Sequence, residues 1–212
     1  MNNKIILVAL LIFSACTNSS TNSVVNKDSM SPRDSLKRAL QEDLPPSSDI
    51  KQFNWFYGAF AQAAVSGNDS LFNVVIHPKH GLWIIHSSGA MPQFTKVMRI
   101  QNYKDEMGKG LLPFDRDAMM VAPKEEELPK IDCDSKNFYS KSGCFSQLLN
   151  AFAQDKIWKN AALSADKDKE IEELASTIMR TVVNTANYKY YFSLIDGSWY
   201  LTFIDVREPC SA

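Results

Sequence analysis

The dipeptide Asp196-Gly197 constrains the fold of this chain more than any other sequence feature. It separates two runs, 188–195 and 198–206, that are rich in aromatic and β-branched residues and are therefore typical of strands. An Asp-Gly pair is strongly favoured in two-residue type I′ turns, because both turn positions need a positive φ. The sequence therefore predicts a terminal β-hairpin.

The turn also predicts which residues of this hairpin face each other. The expected pairs are Leu194 with Trp199, Phe192 with Leu201, and Tyr190 with Phe203. All six side chains are apolar or aromatic, so this face of the hairpin is expected to pack against helices. The opposite face is more mixed and is expected to be partly wet or to line a concave surface. Its residues are Lys189, Tyr191, Ser193, Tyr200, Thr202 and Ile204.

Helical spacing of apolar residues recurs upstream of the hairpin. The first predicted helix begins near Asp49, carries an aromatic stripe from Phe53 to Phe60, and ends at Gly67. The further predicted elements are a short helix at 70–76, a strand at 82–86, helices at 92–99, 146–158 and 166–185, and a loop-rich stretch at 102–130. Together they predict an α+β fold, with helices packed on one face of a curved antiparallel sheet that ends in the hairpin.

The N-terminal residues have the composition of a secretory leader. The apolar run Ile5–Phe13 has nine residues and follows Lys4. A membrane-spanning helix needs roughly 20 such residues, so the run is typical of a signal peptide. The tetrapeptide Phe13-Ser14-Ala15-Cys16 resembles the bacterial lipobox, in which the Cys thiol accepts a diacylglyceryl group. An ordinary signal peptide with an incidental cysteine is the alternative.

The chain is therefore expected to have three parts. These are a lipoprotein signal peptide at 1–15, a lipidated Cys16 with a Ser-, Thr- and Asn-rich tether at 16–48, and a single α+β domain at 49–212. A lipidated Cys16 predicts the membrane as a partner and places the protein in the cell envelope, at the outer membrane and facing the periplasm. An oxidising compartment follows from export.

Charge and motifs exclude several classes of function. The chain has 23 Lys and Arg against 24 Asp and Glu, a formal net charge of −1, which argues against a nucleic-acid partner. The sequence has no Walker-type loop, dinucleotide-binding fingerprint, Gly-x-Ser-x-Gly elbow or His-Glu-x-x-His motif. No cofactor is therefore predicted.

The three histidines, His77, His80 and His86, lie within ten residues of one another. Imidazole is a common zinc ligand, but this spacing matches no metal-site signature and the segment contains no carboxylate, so no metal is predicted. His77 and His80 are weak candidates for a general base, and a structural role in the turn around Pro78 is the more ordinary interpretation. Asp205, at the end of the last strand, is the third weak catalytic candidate.

The other acidic groups are interpreted as solvated surface. They are the i, i+2 pairs Asp115/Asp117 and Asp132/Asp134, and the run Glu125–Glu127. A calcium site would need oxygen ligands at alternating spacing together with a turn glycine.

Three cysteines, Cys133, Cys144 and Cys210, remain after lipidation, so one bridge can form and one thiol is left over. Cys133–Cys144 is the predicted disulfide, because the two are close in sequence and Gly143 lets the intervening polar loop turn. The alternatives are a bridge from Cys210 to either of them, or three unpaired thiols.

Three features together resemble uncharacterised lipoproteins of Bacteroidota-type bacteria. They are the lipobox with its Ser/Asn tether, the aromatic first helix, and the terminal hairpin with its Gly197-Ser198-Trp199-Tyr200 segment. Many of those lipoproteins have NTF2-like or SnoaL-like cone folds, so the resemblance implies a cone into whose mouth Asp205 would point. The long, loop-rich stretch 87–165 departs from a simple NTF2-like pattern.

The leading functional hypothesis is a lipid-anchored envelope protein whose domain binds a small molecule or a protein partner. A small NTF2-like enzyme with a His or Asp general base is the alternative, and a structural component of an envelope complex is the third. A deep pocket in which the histidines or Asp205 converge would favour the enzyme. A shallow groove or a flat apolar patch would favour binding or assembly.

Overall fold

A computed structural model describes residues 50–87, 89, 91–104, 108, 110 and 114–210. The predicted signal peptide, the lipidation site Cys16 and the tether at 16–48 lie outside the described residues. Within the described ranges, no helix combines the length and the apolar character that crossing a membrane requires.

The described chain is an α+β domain built on one seven-stranded sheet. The α-helices are α1 (Ile50–Val65), α2 (Asp69–Phe72), α3 (Arg116–Met119), α4 (Ala151–Asp155) and α5 (Ala165–Ala175), with 3-10 turns at Ile100–Asn102 and Ile157–Asn160. The strands are β1 (Leu82–His86), β2 (Gln93–Val97), β3 (Lys124–Glu125), β4 (Cys144–Gln147), β5 (Ile178–Asn184), β6 (Lys189–Ile195) and β7 (Ser198–Asp205). Their order in the sheet is β2-β1-β7-β6-β5-β4-β3.

The sheet is mixed, so the prediction of a purely antiparallel sheet is wrong. β1 pairs with β7 in parallel, and β3 pairs with β4 in parallel, whereas the other neighbouring strands are antiparallel. A tight turn makes the two strands that it joins antiparallel, as in the β6–β7 hairpin. The parallel pair β1–β7 joins strands nearly a whole domain apart in sequence, and such a pair has no local turn signal.

Helices cover both faces of the sheet, so the prediction of helices on one face is also wrong. On one face, Phe53 and Phe60 of α1 pack against Phe192 of β6. On the other face, Phe152 of α4 stacks on Phe203 of β7, with ring centroids 4.3 Å apart. Part of the hairpin face that was predicted to be partly wet is buried, namely Tyr191, Ser193 and Thr202. Lys189 and Tyr200 of that face are half-buried, and Ile204 packs in the α1 core.

The hairpin register is confirmed near the turn and differs beyond a β-bulge. Leu194 pairs with Trp199 and Phe192 pairs with Leu201, as predicted. Past these pairs, Tyr191 pairs with Phe203 and Tyr190 with Ile204. Thr202 is the extra residue, and its hydroxyl lies 2.8 Å from the Ser193 hydroxyl and 3.2 Å from the Tyr191 carbonyl oxygen. The bulge moves Phe203 to the α4 face, because one additional residue reverses the alternation of a strand.

Three predicted helices are strands over part of their length. The segment 92–99 contains β2, and 146–158 divides into the end of β4, α4 and a 3-10 turn. The segment 166–185 is α5 up to Ala175 and then β5. The first helix and the strand at 82–86 are confirmed, and the short helix α2 begins one residue earlier and ends four residues earlier than predicted.

The disulfide joins Cys133 to Cys210, with a Cα–Cα distance of 5.7 Å, so the predicted Cys133–Cys144 pairing is wrong. Cys144 is a buried free thiol at the start of β4, 3.3 Å from the hydroxyl of Tyr57 on α1. Its strand position directs the side chain into the α1 core and away from the loop that carries Cys133. The direction of the Cys144 side chain therefore prevents the bridge to Cys133, although the two residues are close in sequence.

Candidate functional site

A cavity of about 520 Å³ opens where β7 ends, and we refer to it as the C-terminal cavity. Its walls come from the loop around Phe138 and Tyr139, from the β5–β6 connection, and from the segment that follows β7. The lining residues that bear on its chemistry are Tyr139, Tyr188, Lys189, Asp205, Arg207 and Cys210.

Secondary structure and the disulfide bring these walls together. Lys189 and Asp205 are register partners at the open end of the β6–β7 pair. The loop is closed by an antiparallel bridge between Ile131 and Tyr139. The disulfide fastens the chain after β7 to this loop, so the C-terminal segment is a fixed wall of the cavity.

An ion pair between Asp205 and Arg207 is the main polar feature of the C-terminal cavity. Arg207 donates to the Asp205 carboxylate through Nε, at 2.8 Å from Oδ1, and through Nη2, at 2.7 Å from Oδ2. The backbone N–H of Arg207 also donates to Oδ1, at 3.2 Å. Asp205 is only 5% exposed, and its hydrogen bonds raise the pKa of the Arg207 guanidinium. The arginine is therefore cationic and held in one orientation by two parallel bonds.

Protonated phenols lie around this ion pair. Burial, and to a smaller extent the Asp205 charge, raises the pKa of Tyr139 to about 12. Burial also raises the pKa of Tyr188, and it raises that of Tyr191 well above its usual value. The buried Tyr191 hydroxyl has no hydrogen-bond partner among the described residues. At neutral pH each of these side chains is a potential hydrogen-bond donor.

His77 and His80 form a small aromatic group with Tyr200. The ring centroid of His77 lies 4.6 Å from that of each of the other two. The Nδ1 atom of His77 accepts hydrogen bonds from the backbone N–H groups of Lys79, at 3.1 Å, and of His80, at 3.0 Å. Burial lowers the pKa of His77. The imidazole is therefore neutral, and its Nδ1 lone pair already stabilises the turn.

The structure does not bring the predicted catalytic residues together. His86 lies at the end of β1, where its Nε2 is 3.0 Å from the Thr95 hydroxyl. No histidine is among the described residues that line the C-terminal cavity. His77 contacts Tyr200, and Asp205 follows five residues later on the same strand, roughly 16 Å along an extended chain. In the described ranges, no group of three or more His, Cys, Asp or Glu side chains could hold a metal ion.

Three of the other acidic residues have structural contacts. Asp115 caps α3 by accepting from the Ala118 N–H at 2.9 Å. Asp132 accepts from the Asp134 N–H at 3.2 Å in its own loop. Glu125 is more than a solvated residue, because its carboxylate pairs at 2.6 Å with the nearly buried guanidinium of Arg180.

Sequence reasoning identified Asp205 but missed Arg207 and Tyr139. Arg207 stands two residues after Asp205, and side chains at i and i+2 of an extended chain point to the same side. That spacing of opposite charges was the one sequence feature that could have indicated the Asp205–Arg207 ion pair. Tyr139 carries no comparable signal, because its place beside Asp205 depends on a loop that the disulfide holds.

A second cavity, of about 400 Å³, lies between the end of α1, the short helix α2 and the stretch around Tyr103. Its described polar wall includes Asn68, whose side chain already caps α2 by accepting from Ser70 and Leu71 N–H groups. This cavity offers less polar chemistry than the C-terminal cavity.

No known protein family, curated protein or solved structure matches the chain.

Proposed function

We propose that this protein is a lipid-anchored component of the cell envelope whose α+β domain binds a small molecule in the C-terminal cavity. The observation that supports this proposal is the Asp205–Arg207 ion pair in the wall of a cavity of about 520 Å³. Small-molecule sites are concave and contain a few oriented polar groups among apolar and aromatic side chains.

The sequence supports the anchoring half of the proposal. Cys16 follows two small residues and an apolar run, which is the arrangement that lipidation requires. The Ser-, Thr- and Asn-rich segment 17–48 has the composition of a flexible tether, which would let the domain sample the space beside an outer membrane. The resemblance to NTF2-like lipoproteins belongs to the same proposal, and the long aromatic helix α1 across one face of the sheet supports it.

Binding is favoured over catalysis by the positions of the ionisable side chains. Both oxygens of Asp205 accept hydrogen bonds from Arg207, so the carboxylate positions the arginine. His77 has its Nδ1 committed to the backbone and lies near the opposite end of β7. A general base needs to reach a substrate proton within hydrogen-bond distance, and a single ligand in this cavity would meet no histidine.

The proposal is tested by filling the cavity. Ala186 is exposed and lines the cavity, so Ala186→Phe is expected to occupy part of its volume. The full chain in detergent is screened by thermal shift against a library of small acids, amides and sugars, since a bound ligand raises the melting temperature. Hits are expected to lose their shift in Ala186→Phe and to keep it in the matched control Ala162→Phe, where the alanine is exposed outside the described lining of the cavity. Hits that bind Ala186→Phe as well as the unchanged chain would place binding elsewhere.

A further inference from the structure

We propose that the ligand of the C-terminal cavity is a small organic monocarboxylate. Its carboxylate accepts hydrogen bonds from Arg207 and Tyr139, and its apolar body lies along the aromatic wall that Phe138 and Tyr188 form. The inference rests on the proposed binding function and specifies the chemical class of the ligand.

The guanidinium of Arg207 has a free donor group. Nε and Nη2 are bonded to Asp205, whereas Nη1 makes no hydrogen bond within the part of the chain that the structure describes. Asp205 already fixes the plane of the guanidinium. Ligand binding would therefore cost little further conformational entropy in the Arg207 side chain. The Nη1 group can therefore donate a charge-assisted hydrogen bond to a ligand carboxylate while Nε and Nη2 stay bonded to Asp205.

Two acceptor side chains of the cavity are already bonded within the protein. Both Asp205 oxygens receive hydrogen bonds from Arg207. The Asn187 side-chain oxygen accepts from the Asp115 N–H at 2.7 Å. In contrast, the Tyr139 phenol stays protonated because its pKa is raised to about 12, and it can donate. A ligand that carries acceptor oxygens can therefore accept hydrogen bonds from both Arg207 and Tyr139.

The charges of the wall favour one carboxylate over several. Lys189 and Arg207 stand against Asp205 and Glu208, so the lining is close to neutral overall. A ligand with one negative charge therefore adds less uncompensated charge to this partly enclosed space than a ligand with two or three, which would be more unfavourable. A single carboxylate with an apolar body matches both the donors and the aromatic rings.

Matched acids and amides test the ligand class directly. The probes are benzoate and 3-phenylpropanoate, with benzamide and 3-phenylpropanamide as neutral partners of nearly the same shape. Isothermal titration calorimetry of the full chain in detergent is expected to show each acid binding at least about tenfold more tightly than its amide, or about 1.4 kcal/mol. The preference is expected because only the carboxylate forms an ion pair with Arg207, in which both the donor and the acceptor are charged.

Two conservative variants test the assigned residues. Arg207→Lys keeps the charge that compensates Asp205 but removes the planar fork, and it is expected to weaken the acid about tenfold while the amide changes less than about twofold. Tyr139→Phe keeps the ring and removes one donor, so a smaller loss of acid affinity is expected. Arg116→Lys on α3 and Tyr200→Phe beside His77 are the matched controls and should leave the acid affinity unchanged.

The outcomes separate this inference from the broader function. Equal binding of acid and amide, lost in Ala186→Phe, would overturn the carboxylate assignment and leave the cavity as the binding site. A preference for acids that survives Arg207→Lys would overturn the role of Arg207. If no acid binds while the wider library gives hits in the cavity, the ligand class is wrong. If neither binds there, the proposed function fails as well.

Discussion

Trp199 connects the terminal hairpin to the first helix. Its ring lies against Phe53 of α1, with centroids 5.1 Å apart, and its indole N–H points to the Gln52 side-chain oxygen at 3.4 Å. The side chain is only 5% exposed. One large aromatic residue therefore contributes both apolar burial and a polar contact at this junction.

Truncation of this side chain is expected to be costly. Trp199→Ala should lower the free energy of unfolding by about 3–5 kcal/mol, because it removes a buried aromatic ring and leaves a cavity. Urea denaturation measures the change. Trp55→Ala, at a tryptophan that is 42% exposed, is the matched control and should cost less than about 1 kcal/mol. Equal losses in the two variants would contradict the burial of Trp199.

The stability of the folded chain is expected to depend on pH through His77. Burial lowers the pKa of His77 below its usual value of 6.5, because the folded chain disfavours the charged imidazole. Protonation would also cancel the Nδ1 lone pair that accepts from Lys79 and His80. Below pH 6.5 the unfolded chain binds more protons at this position than the folded chain does. Neutral His77 therefore contributes to the free energy of unfolding above this pH, and that contribution is lost as the pH falls towards the lowered pKa.

His77→Asn tests this dependence, because an Asn oxygen can accept the same two backbone N–H groups and does not titrate in this range. Urea midpoints are compared at pH 7.5 and pH 5.5. The variant is expected to lose less stability on acidification than the unchanged chain does. His86→Asn is the control, and it should retain the pH dependence. A variant and a parent that respond identically to acid would exclude His77 as the source.

At the scale of elements, the disulfide is the covalent tie between the last strand and the middle of the chain. Cys133 and Cys210 are separated by 77 residues in sequence. In the chain-entropy model a closed loop of this length stabilises the folded state by about 4.5 kcal/mol, since it restricts the unfolded chain.

Removing the bridge is therefore expected to lower the free energy of unfolding by up to about 4.5 kcal/mol. The loss should be similar in Cys133→Ser, in Cys210→Ser and in the double variant, because each removes the same bridge. Thermal or urea unfolding under non-reducing conditions measures the loss. A reducing agent should destabilise the parent and leave the double variant unchanged. Peptide mapping without reduction should recover Cys133 linked to Cys210, and recovery of a Cys133–Cys144 peptide would refute this assignment.

The segment 166–185 shows why some elements could not be assigned from spacing. Ile171, Leu174 and Ile178 have the periodicity of one helical stripe. The chain nevertheless leaves the helix after Ala175, and residues 178–184 form a strand between β4 and β6. Most of this strand is buried, as expected for a strand with helices above and below, so no alternation appears. The β-branched run at 181–183 was the local sign of a strand.

For the whole molecule, the proposed membrane attachment would depend on residues before the described domain. The mature chain is expected to begin at Cys16 and to carry acyl chains, and intact-mass spectrometry of membrane-extracted protein would detect both. Two or more acyl chains make anchoring stable, so Cys16→Ala should move the protein from the membrane fraction to the soluble fraction. Cys144→Ala is the control and should stay with the membrane. A Cys16→Ala protein that stays in the membrane fraction without a partner would refute lipidation.

The candidate site was only partly predictable from sequence. Asp205 stood out as a carboxylate at the end of a strand. The predicted register would have paired it with Tyr188, and the β-bulge pairs it with Lys189 instead. Its partner Arg207 and the neighbouring Tyr139 were not identified, because the chain after β7 and the loop carry no periodic pattern. Their positions depend on the disulfide. The distance between cysteines along the sequence was not enough to predict which two form it.

Local chemistry explains which features the sequence alone determined. The Asp196-Gly197 turn, the aromatic helix α1 and the pairing of Leu194 with Trp199 depend on neighbours within a few residues, so propensity and periodicity suffice. Tertiary structure alone decided the parallel β1–β7 pair, the helical layer on the second face and the Cys133–Cys210 bridge. Each of these joins segments that are distant in the chain, and their free energy comes from burial and geometry after the segments have met.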